Sequence, residues 1–113
     1  MFKLDVDRKN DVLILRPQGD LDYNFELEIK ERMEESLSEP VNTVIDLSEV
    51  SYIDSVGISI MTYMKQELKK KGFELYFYNP VDSIRKVFKM TRLDHYIPII
   101  EDKEKLQEML EGK

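Results

Sequence analysis

The sequence predicts a single α/β domain spanning residues 1–113, with a mixed sheet of four to five strands and about four helices. Two observations lead to this fold class. Apolar residues alternate with polar ones at the start of the chain, and soon afterwards they recur at the spacing of a helix. The length of 113 residues and a hydrophobic content of 42% fit one core. The chain contains no internal repeat or linker-like tract.

The first two strands are predicted to form an antiparallel hairpin. Phe2, Leu4 and Val6 alternate with charged residues, which is typical of a half-buried strand. Residues 8–11 favour a turn, and residues 12–16 favour a second, more buried strand. Because the connection is so short, the two strands must run antiparallel.

A helix and a third strand follow the hairpin. Apolar residues recur every four positions among charged ones, at Phe25, Ile29, Met33 and Leu37. Asp22 or Asn24 is placed to cap the first turn, and Pro40 prevents the helix from continuing. Residues 44–47 then form a predicted strand. The order strand, helix, strand favours a parallel crossover connection.

The second half of the chain repeats this alternation. A helix is predicted over Ser55–Lys70, ended by Gly72 at a position that favours the left-handed conformation. A strand over residues 73–78 comes next, followed by a short helix that starts at Pro80 and has Ile84, Val87 and Phe88 as its apolar residues. A short strand over residues 97–100 is predicted at the sheet edge, because it contains Pro98. The last predicted element is a helix over residues 102–111.

The composition excludes several classes of function. The formal charge is −6, which argues against binding to nucleic acid. The chain has no cysteine and a single histidine, His95, so thiolate and histidine-rich metal sites are excluded. No apolar run approaches the roughly 20 residues of a membrane-spanning helix, and the N-terminus lacks the pattern of a signal peptide. We therefore expect a cytoplasmic protein without a membrane partner.

The start of the second long helix carries the most information. An apolar strand end, residues 50–53, leads into Asp54 and Ser55. At about 100° per residue the helix has an apolar face consisting of Val56, Gly57, Ile60, Met61, Tyr63, Met64 and Leu68. The opposite, polar face consists of Ser55, Ser59, Thr62, Lys65, Gln66 and Lys69. Because Gly57 has no side chain, we expect the helix to approach the sheet closely at that position.

Two residues of this helix each have two interpretations. Ile58, about one turn from Ser55, is either an isolated exposed apolar residue or part of a contact surface with Ser55, Ser59 and Thr62. Ser55 is either a structural helix cap or a hydroxyl displayed where the helix N-terminus would stabilise a phosphate. Phosphorylation there would add about −1.5 to −2 charges to the surface without unfolding the helix.

These motifs resemble a known family. Residues 54–58, Asp-Ser-Val-Gly-Ile, resemble the Asp-Ser-(Ser/Thr)-Gly-Leu signature of bacterial anti-sigma factor antagonists, which consist of a single STAS domain. Residues 19–22 resemble the family's Gly-x-Leu-Asp element, residues 44–47 its central strand, and residues 87–93 its Phe-x-x-(Ser/Thr)-x-Leu segment. The resemblance covers nearly the whole chain in the same order, with Val56 where a second hydroxyl residue is usual.

The resemblance implies a STAS-like fold and a regulatory function. Such proteins bind an anti-sigma factor, often a serine kinase, and thereby release a sigma factor. The kinase phosphorylates the serine after the aspartate, here Ser55, and a phosphatase reverses the modification. Asp54 would orient the serine. The implied partner-binding residues, together with those proposed from the helix, are Asp20, Asp22, Asp54, Ser55, Ile58, Ser59 and Thr62.

Other functions are less favoured by the residues. One alternative is a STAS scaffold that is never phosphorylated. Another is a small enzyme acting through Asp20, Asp22, Asp54 and Ser55, but the chain offers no evident base, metal set or cofactor loop. We therefore expect no catalytic residue, no metal and no cofactor. His95 is interpreted as a surface or partly packed residue.

Overall fold

The N-terminal hairpin has the antiparallel pairing that the short connection predicts. The computed structural model describes residues 3–112, so Phe2 lies outside the described residues. β1 (Lys3–Lys9) pairs with β2 (Val12–Leu21) in antiparallel register. Asn10 and Asp11 connect the strands with φ angles of 50° and 65°. Two consecutive positive φ angles are those of a type I′ turn, whose twist matches that of the flanking strands.

β2 extends beyond the predicted residues 12–16 and ends at Leu21. Its first part pairs in parallel with β3 (Asn42–Asp46), and its last part pairs in parallel with β4 (Val50–Ile53). Gly19, with a φ of 110°, lies where the register shifts. Glycine adopts this conformation without steric cost, so the strand changes partner at this position.

The sheet is mixed, as predicted, and its strand order is β1-β2-β3-β5-β6, with β4 paired to β2. β5 (Leu75–Tyr78) pairs in parallel with β3 and with β6 (Ile99–Ile100). The short last strand lies at the sheet edge, as Pro98 predicts. The described residues contain six strands, one more than expected, because residues 50–53 form a strand of their own.

The described residues also contain five α-helices and one 3-10 turn, against about four helices predicted. The turn (Tyr23–Phe25) leads into α1 (Glu26–Ser36), and α2 covers the predicted Ser55–Lys70. The later helices are α3 (Asp82–Thr91), the single-turn α4 (Leu93–Tyr96), which was not predicted, and α5 (Lys103–Leu110). Gly72 has a φ of 86°, the left-handed conformation expected after α2.

Helices cover both faces of the sheet. On one face the main core combines sheet residues with α1, α2, α3 and α4, and Phe77 of β5 stacks on Phe88 of α3 at a ring-centroid distance of 4.4 Å. Ile29 and Met33 of α1 are buried there as predicted, whereas the side chain of Phe25 lies outside what the structure describes. On the other face α5 covers a smaller cluster through Leu106 and Leu110.

Two residues of α2 lie in the opposite environment from the one predicted. Tyr63, predicted to be apolar core, is 42% exposed, and Lys65, predicted to be on the polar face, is buried. The Lys65 Nζ atom lies 2.9 Å from Glu74 Oε2 and 5.8 Å from the ring centroid of Tyr96. The ammonium group is therefore compensated by a carboxylate and an aromatic ring from other elements.

Within residues 3–112, no helix is both long enough and apolar enough to cross a lipid bilayer.

Candidate functional site

Asp54, and not Ser55, is the N-cap of α2. Its Oδ1 atom accepts hydrogen bonds from the Val56 N–H at 2.9 Å and the Gly57 N–H at 3.1 Å. Ser55 is the first residue of the helix. The side-chain cap of the helix is therefore provided by the carboxylate that precedes the serine.

The Ser55 side chain is exposed. Within the part of the chain that the structure describes, its hydroxyl makes no hydrogen bond. It lies at the positive end of a helix of 16 residues, where a phosphate is favoured by the helix dipole. Modifying this hydroxyl therefore breaks no hydrogen bond among the described residues.

The other oxygen of Asp54 connects α2 to the segment before α1. Its Oδ2 atom accepts a hydrogen bond from the Tyr23 N–H at 3.1 Å. The Asp54 N–H in turn donates to the Leu21 carbonyl at 3.2 Å. One carboxylate thus positions both the helix that begins with Ser55 and the turn that carries Tyr23.

Substitution of Asp54 by Asn tests this connection. Asn is also a good N-cap residue, so its Oδ1 can keep the bonds to Val56 and Gly57. Its amide nitrogen cannot accept the Tyr23 N–H. We expect Asp54→Asn to lower the free energy of unfolding by about 1 kcal/mol, measured by urea unfolding, and to speed hydrogen exchange at Tyr23. Unchanged exchange at Tyr23 would contradict the assigned bond.

Gly57 allows the close approach that the sequence predicts. A Cβ atom at this position would lie 2.7 Å from Ile53 Cγ1 and would overlap the carbonyl oxygen of Leu21. Both distances are shorter than ordinary van der Waals contacts. The absence of a side chain at residue 57 therefore seats the N-terminus of α2 directly on β2 and β4.

The predicted aspartates lie near the same junction but are engaged within the fold. Asp22 is buried, and its Oδ1 accepts the Asn24 N–H at 3.1 Å, which caps the 3-10 turn. Asp20 Oδ1 accepts the Ser51 hydroxyl at 3.0 Å. These carboxylates therefore stabilise the loop and strand that surround the start of α2.

The remaining predicted residues follow along α2. Ser59 is exposed, one turn after Ser55. Ile58 is half-buried and packs against the main core, so its interpretation as an isolated exposed residue is wrong. Thr62 is half-buried, and its Oγ1 donates to the Ile58 carbonyl at 2.9 Å. Ser55 and Ser59 are thus the residues of this group that are most accessible.

Three exposed apolar residues on the elements around this junction were not predicted. Tyr23 is 67% exposed, Leu27 is 72% exposed, and Tyr52, two residues before the Asp54 cap, is 52% exposed. Leu27 does not belong to the four-residue series that α1 buries. That departure from the series was the available signal in the sequence.

The described residues provide no evident catalytic constellation. No group of three or more His, Asp or Glu residues within 3–112 could hold a metal ion. His95 is exposed, and its nearest acidic atom is Asp94 Oδ1 at 4.0 Å. The site therefore consists of an exposed hydroxyl group, a capped helix and nearby apolar side chains.

Comparison with known proteins gives matches over most of the chain. Residues 3–106 match the family model described as STAS domain. A protein of Listeria monocytogenes named anti-sigma-B factor antagonist is 29% identical over 94 residues, which is 82% of each chain.

Solved structures have the same fold. An anti-sigma factor antagonist from Mycobacterium paratuberculosis has a TM-score of 0.81 at 21% identity, covering 98% of this chain and 95% of the other. SpoIIAA in its unphosphorylated form has a TM-score of 0.73 at 18% identity, with both chains covered fully at 100%. The phosphorylated form of the Bacillus SpoIIAA has a TM-score of 0.70 at 19% identity, with 96% of this chain and 99% of the other covered. With the family model matching nearly the entire described chain, this protein belongs to the STAS domain family.

Proposed function

We propose that the protein is an anti-sigma factor antagonist whose binding is switched off by phosphorylation of Ser55. One observation carries the proposal. The Ser55 hydroxyl is exposed and unbonded among the described residues, while Asp54 performs the capping that a serine at this junction would otherwise provide. The hydroxyl is therefore available to a kinase and is not required by the fold.

The physical effect of the modification follows from its position. A phosphate on Ser55 adds about −1.5 to −2 charges at the helix N-terminus, where the dipole favours negative charge. The helix keeps its cap, since the two capping bonds belong to Asp54. The fold stays intact, but a partner that covers this surface must remove water from a dianion, which is costly.

The relatives support this assignment. The Listeria protein is named as an antagonist of an anti-sigma factor, and SpoIIAA has been solved with and without phosphate. The proposed partners of this chain are an anti-sigma factor that is also a serine kinase and a phosphatase that removes the phosphate. The chain itself acts in the cytoplasm as a regulatory subunit and not as an enzyme.

Incubation with ATP and the serine-kinase anti-sigma factor of the same genome tests the proposal. We expect the intact mass to increase by one phosphoryl group, and peptide mapping to locate it at Ser55. The Ser55→Ala variant should gain no mass, while Ser83→Ala, which changes an exposed serine of α3, should be modified like the wild type.

Failure of every candidate kinase to modify Ser55 would overturn the switch. If the unmodified chain then formed defined complexes, the result would favour the scaffold alternative.

A further inference from the structure

The two ends of the sheet differ in how well they are protected from pairing with another strand. β6, at one end, has only two residues and directly follows Pro98, which has no N–H to donate. β1, at the other end, has seven residues and contains no proline or glycine. Its pairing with β2 runs without a bulge from Lys3 to Lys9. A long and regular edge strand of this kind is able to accept a further strand.

The outer edge of β1 presents backbone groups without a protein partner. In an antiparallel ladder, alternate residues exchange hydrogen bonds with the partner strand, and the residues between them direct theirs outward. Because Lys9 and Val12 close the two-residue turn, this pair exchanges both bonds. The outward groups are therefore those of Leu4, Val6 and Arg8. Among the described residues, no backbone group of β1 bonds to a segment other than β2.

Val6 is an apolar residue of this edge that the fold leaves uncovered. Its side chain is 58% exposed, although Leu4, on the same side of the strand, is buried. A cavity of about 510 Å³ lies beside both residues, between β1 and the part of α1 that contains Arg32 and Glu35. The helix therefore does not cover Val6, whereas a strand added to β1 would bring a side chain next to it.

The charges of β1 discriminate between the ways in which a second copy could pair with it. Two copies of one edge strand meet antiparallel around a two-fold axis, and three such registers pair at least five residues of β1. With Val6 on the axis, Lys3 lies opposite Lys9. Asp5 then lies opposite Asp7, so both pairs repel. With Asp7 on the axis, this carboxylate faces its own copy and Val6 gains no apolar neighbour.

We propose that two copies of the chain pair through β1 in the third register, with Asp5 on the two-fold axis. Lys3 of each copy then lies opposite Asp7 of the other, which gives two ion pairs between exposed side chains. Val6 of each copy lies opposite Leu4 of the other, so its apolar surface is covered. This inference is independent of the proposed function, because it holds whether or not a kinase modifies the chain.

The two Asp5 carboxylates on the axis are compensated within each copy. Asp5 Oδ2 accepts a hydrogen bond from Gln18 Nε2 at 2.6 Å, which directs the carboxylate towards β2 and not across the outer edge. The residue opposite Asp5 on β2 is Arg16, which places a guanidinium group on the same face of the sheet. The repulsion between the two copies at the axis is therefore reduced.

Single cysteine variants test the register, since the chain has no cysteine of its own. Opposite residues of antiparallel strands have Cα atoms about 4.5–5.5 Å apart, a distance that a disulfide can bridge. We expect Asp5→Cys to form a covalent dimer under mild oxidation, detected on non-reducing gels. Val6→Cys and Asp7→Cys are the matched controls. In this register each lies more than about 7 Å from its own copy and should not cross-link.

Charge reversal supplies a second readout. We expect the wild type to dimerise with increasing concentration in sedimentation equilibrium. Asp7→Lys should weaken the dimer by about tenfold, because it places like charges opposite each other at two positions. Adding Lys3→Asp to this variant should restore the ion pairs and the wild-type affinity. Both positions are exposed, and thermal unfolding should confirm that the variants are folded.

Three results would each overturn the inference. The first is a wild type that stays monomeric at about 1 mM. The second is cross-linking of Val6→Cys or Asp7→Cys in place of Asp5→Cys, which would assign a different register. The third is a folded double charge variant that dimerises no better than Asp7→Lys alone.

Discussion

Substitution of Ser55 by Asp is expected to weaken binding to the anti-sigma factor by at least about thirtyfold, equivalent to about 2 kcal/mol. The carboxylate places a charge where the proposed contact excludes water, and an uncompensated buried charge costs at least this much. The melting temperature should change by no more than about 2 °C, since the serine hydroxyl makes no bond in the described fold. Isothermal titration calorimetry and thermal unfolding measure the two effects.

Ser55→Asn is the control for size. Asn has nearly the same shape as Asp without its charge, so we expect it to retain most of the affinity. If Asn weakened binding as much as Asp, steric exclusion and not charge would explain the effect. If Asp bound as well as the wild type, the proposed switch at this serine would be wrong.

The second large effect is expected from Gly57→Ala. In most helices this exchange stabilises by up to about 1 kcal/mol, because alanine has the higher helix propensity. Here the added methyl group meets the Leu21 carbonyl and Ile53. Since backbone atoms cannot rotate away as a side chain can, we expect a net loss of about 2–3 kcal/mol in the free energy of unfolding, measured with urea.

Ser59→Ala provides the matched control for Gly57→Ala. It lies in the same helix, but its side chain is exposed. We expect it to be neutral or slightly stabilising, in line with helix propensity. A Gly57→Ala protein that was more stable than the wild type would show that α2 can move away from β2 at little cost.

Much of the fold follows from local patterns in the sequence. The strand at β1, the burial of Ile29 and Met33 in α1 and the position of Gly72 each depend on neighbouring residues, and each is confirmed. The predicted burial of Val6 is wrong, because its side chain is 58% exposed. β4 was not distinguished as a separate strand. It is four residues long, and its two central residues are exposed, so its burial does not alternate. Its pairing depends on the conformation of Gly19, far away in sequence.

The errors on α2 have a similar origin. A helical wheel assigns Lys65 to the polar face and Tyr63 to the core, because it considers only the angle around the helix axis. The ammonium is buried because Glu74 and Tyr96 approach it from other elements. Tyr63 is exposed at the rim of a groove between two helices. Tertiary packing creates these environments, and the spacing of apolar residues along the helix carries no information about them.

Part of the candidate site, like part of the fold, could be predicted from the sequence. The Asp54-Ser55 pair and the close approach at Gly57 could be predicted from the residue pattern. Which of Asp54 and Ser55 caps the helix could not. A sequence cannot show whether the serine or the aspartate caps the helix, since both residues are good caps. The exposed Tyr23 becomes significant only when its backbone bond to Asp54 brings its turn to the start of α2.

The Asp54 carboxylate accepts three backbone hydrogen bonds, and this has an evolutionary consequence. Folding alone places selection on this residue, whether or not a kinase is present, while the neighbouring hydroxyl makes no hydrogen bond in the described fold and serves only the proposed switch. In a lineage that lost its kinase, residue 54 would remain aspartate while residue 55 drifted freely. Residues 54 and 55, although adjacent, would thus be under different selective pressures, the first for folding and the second for regulation.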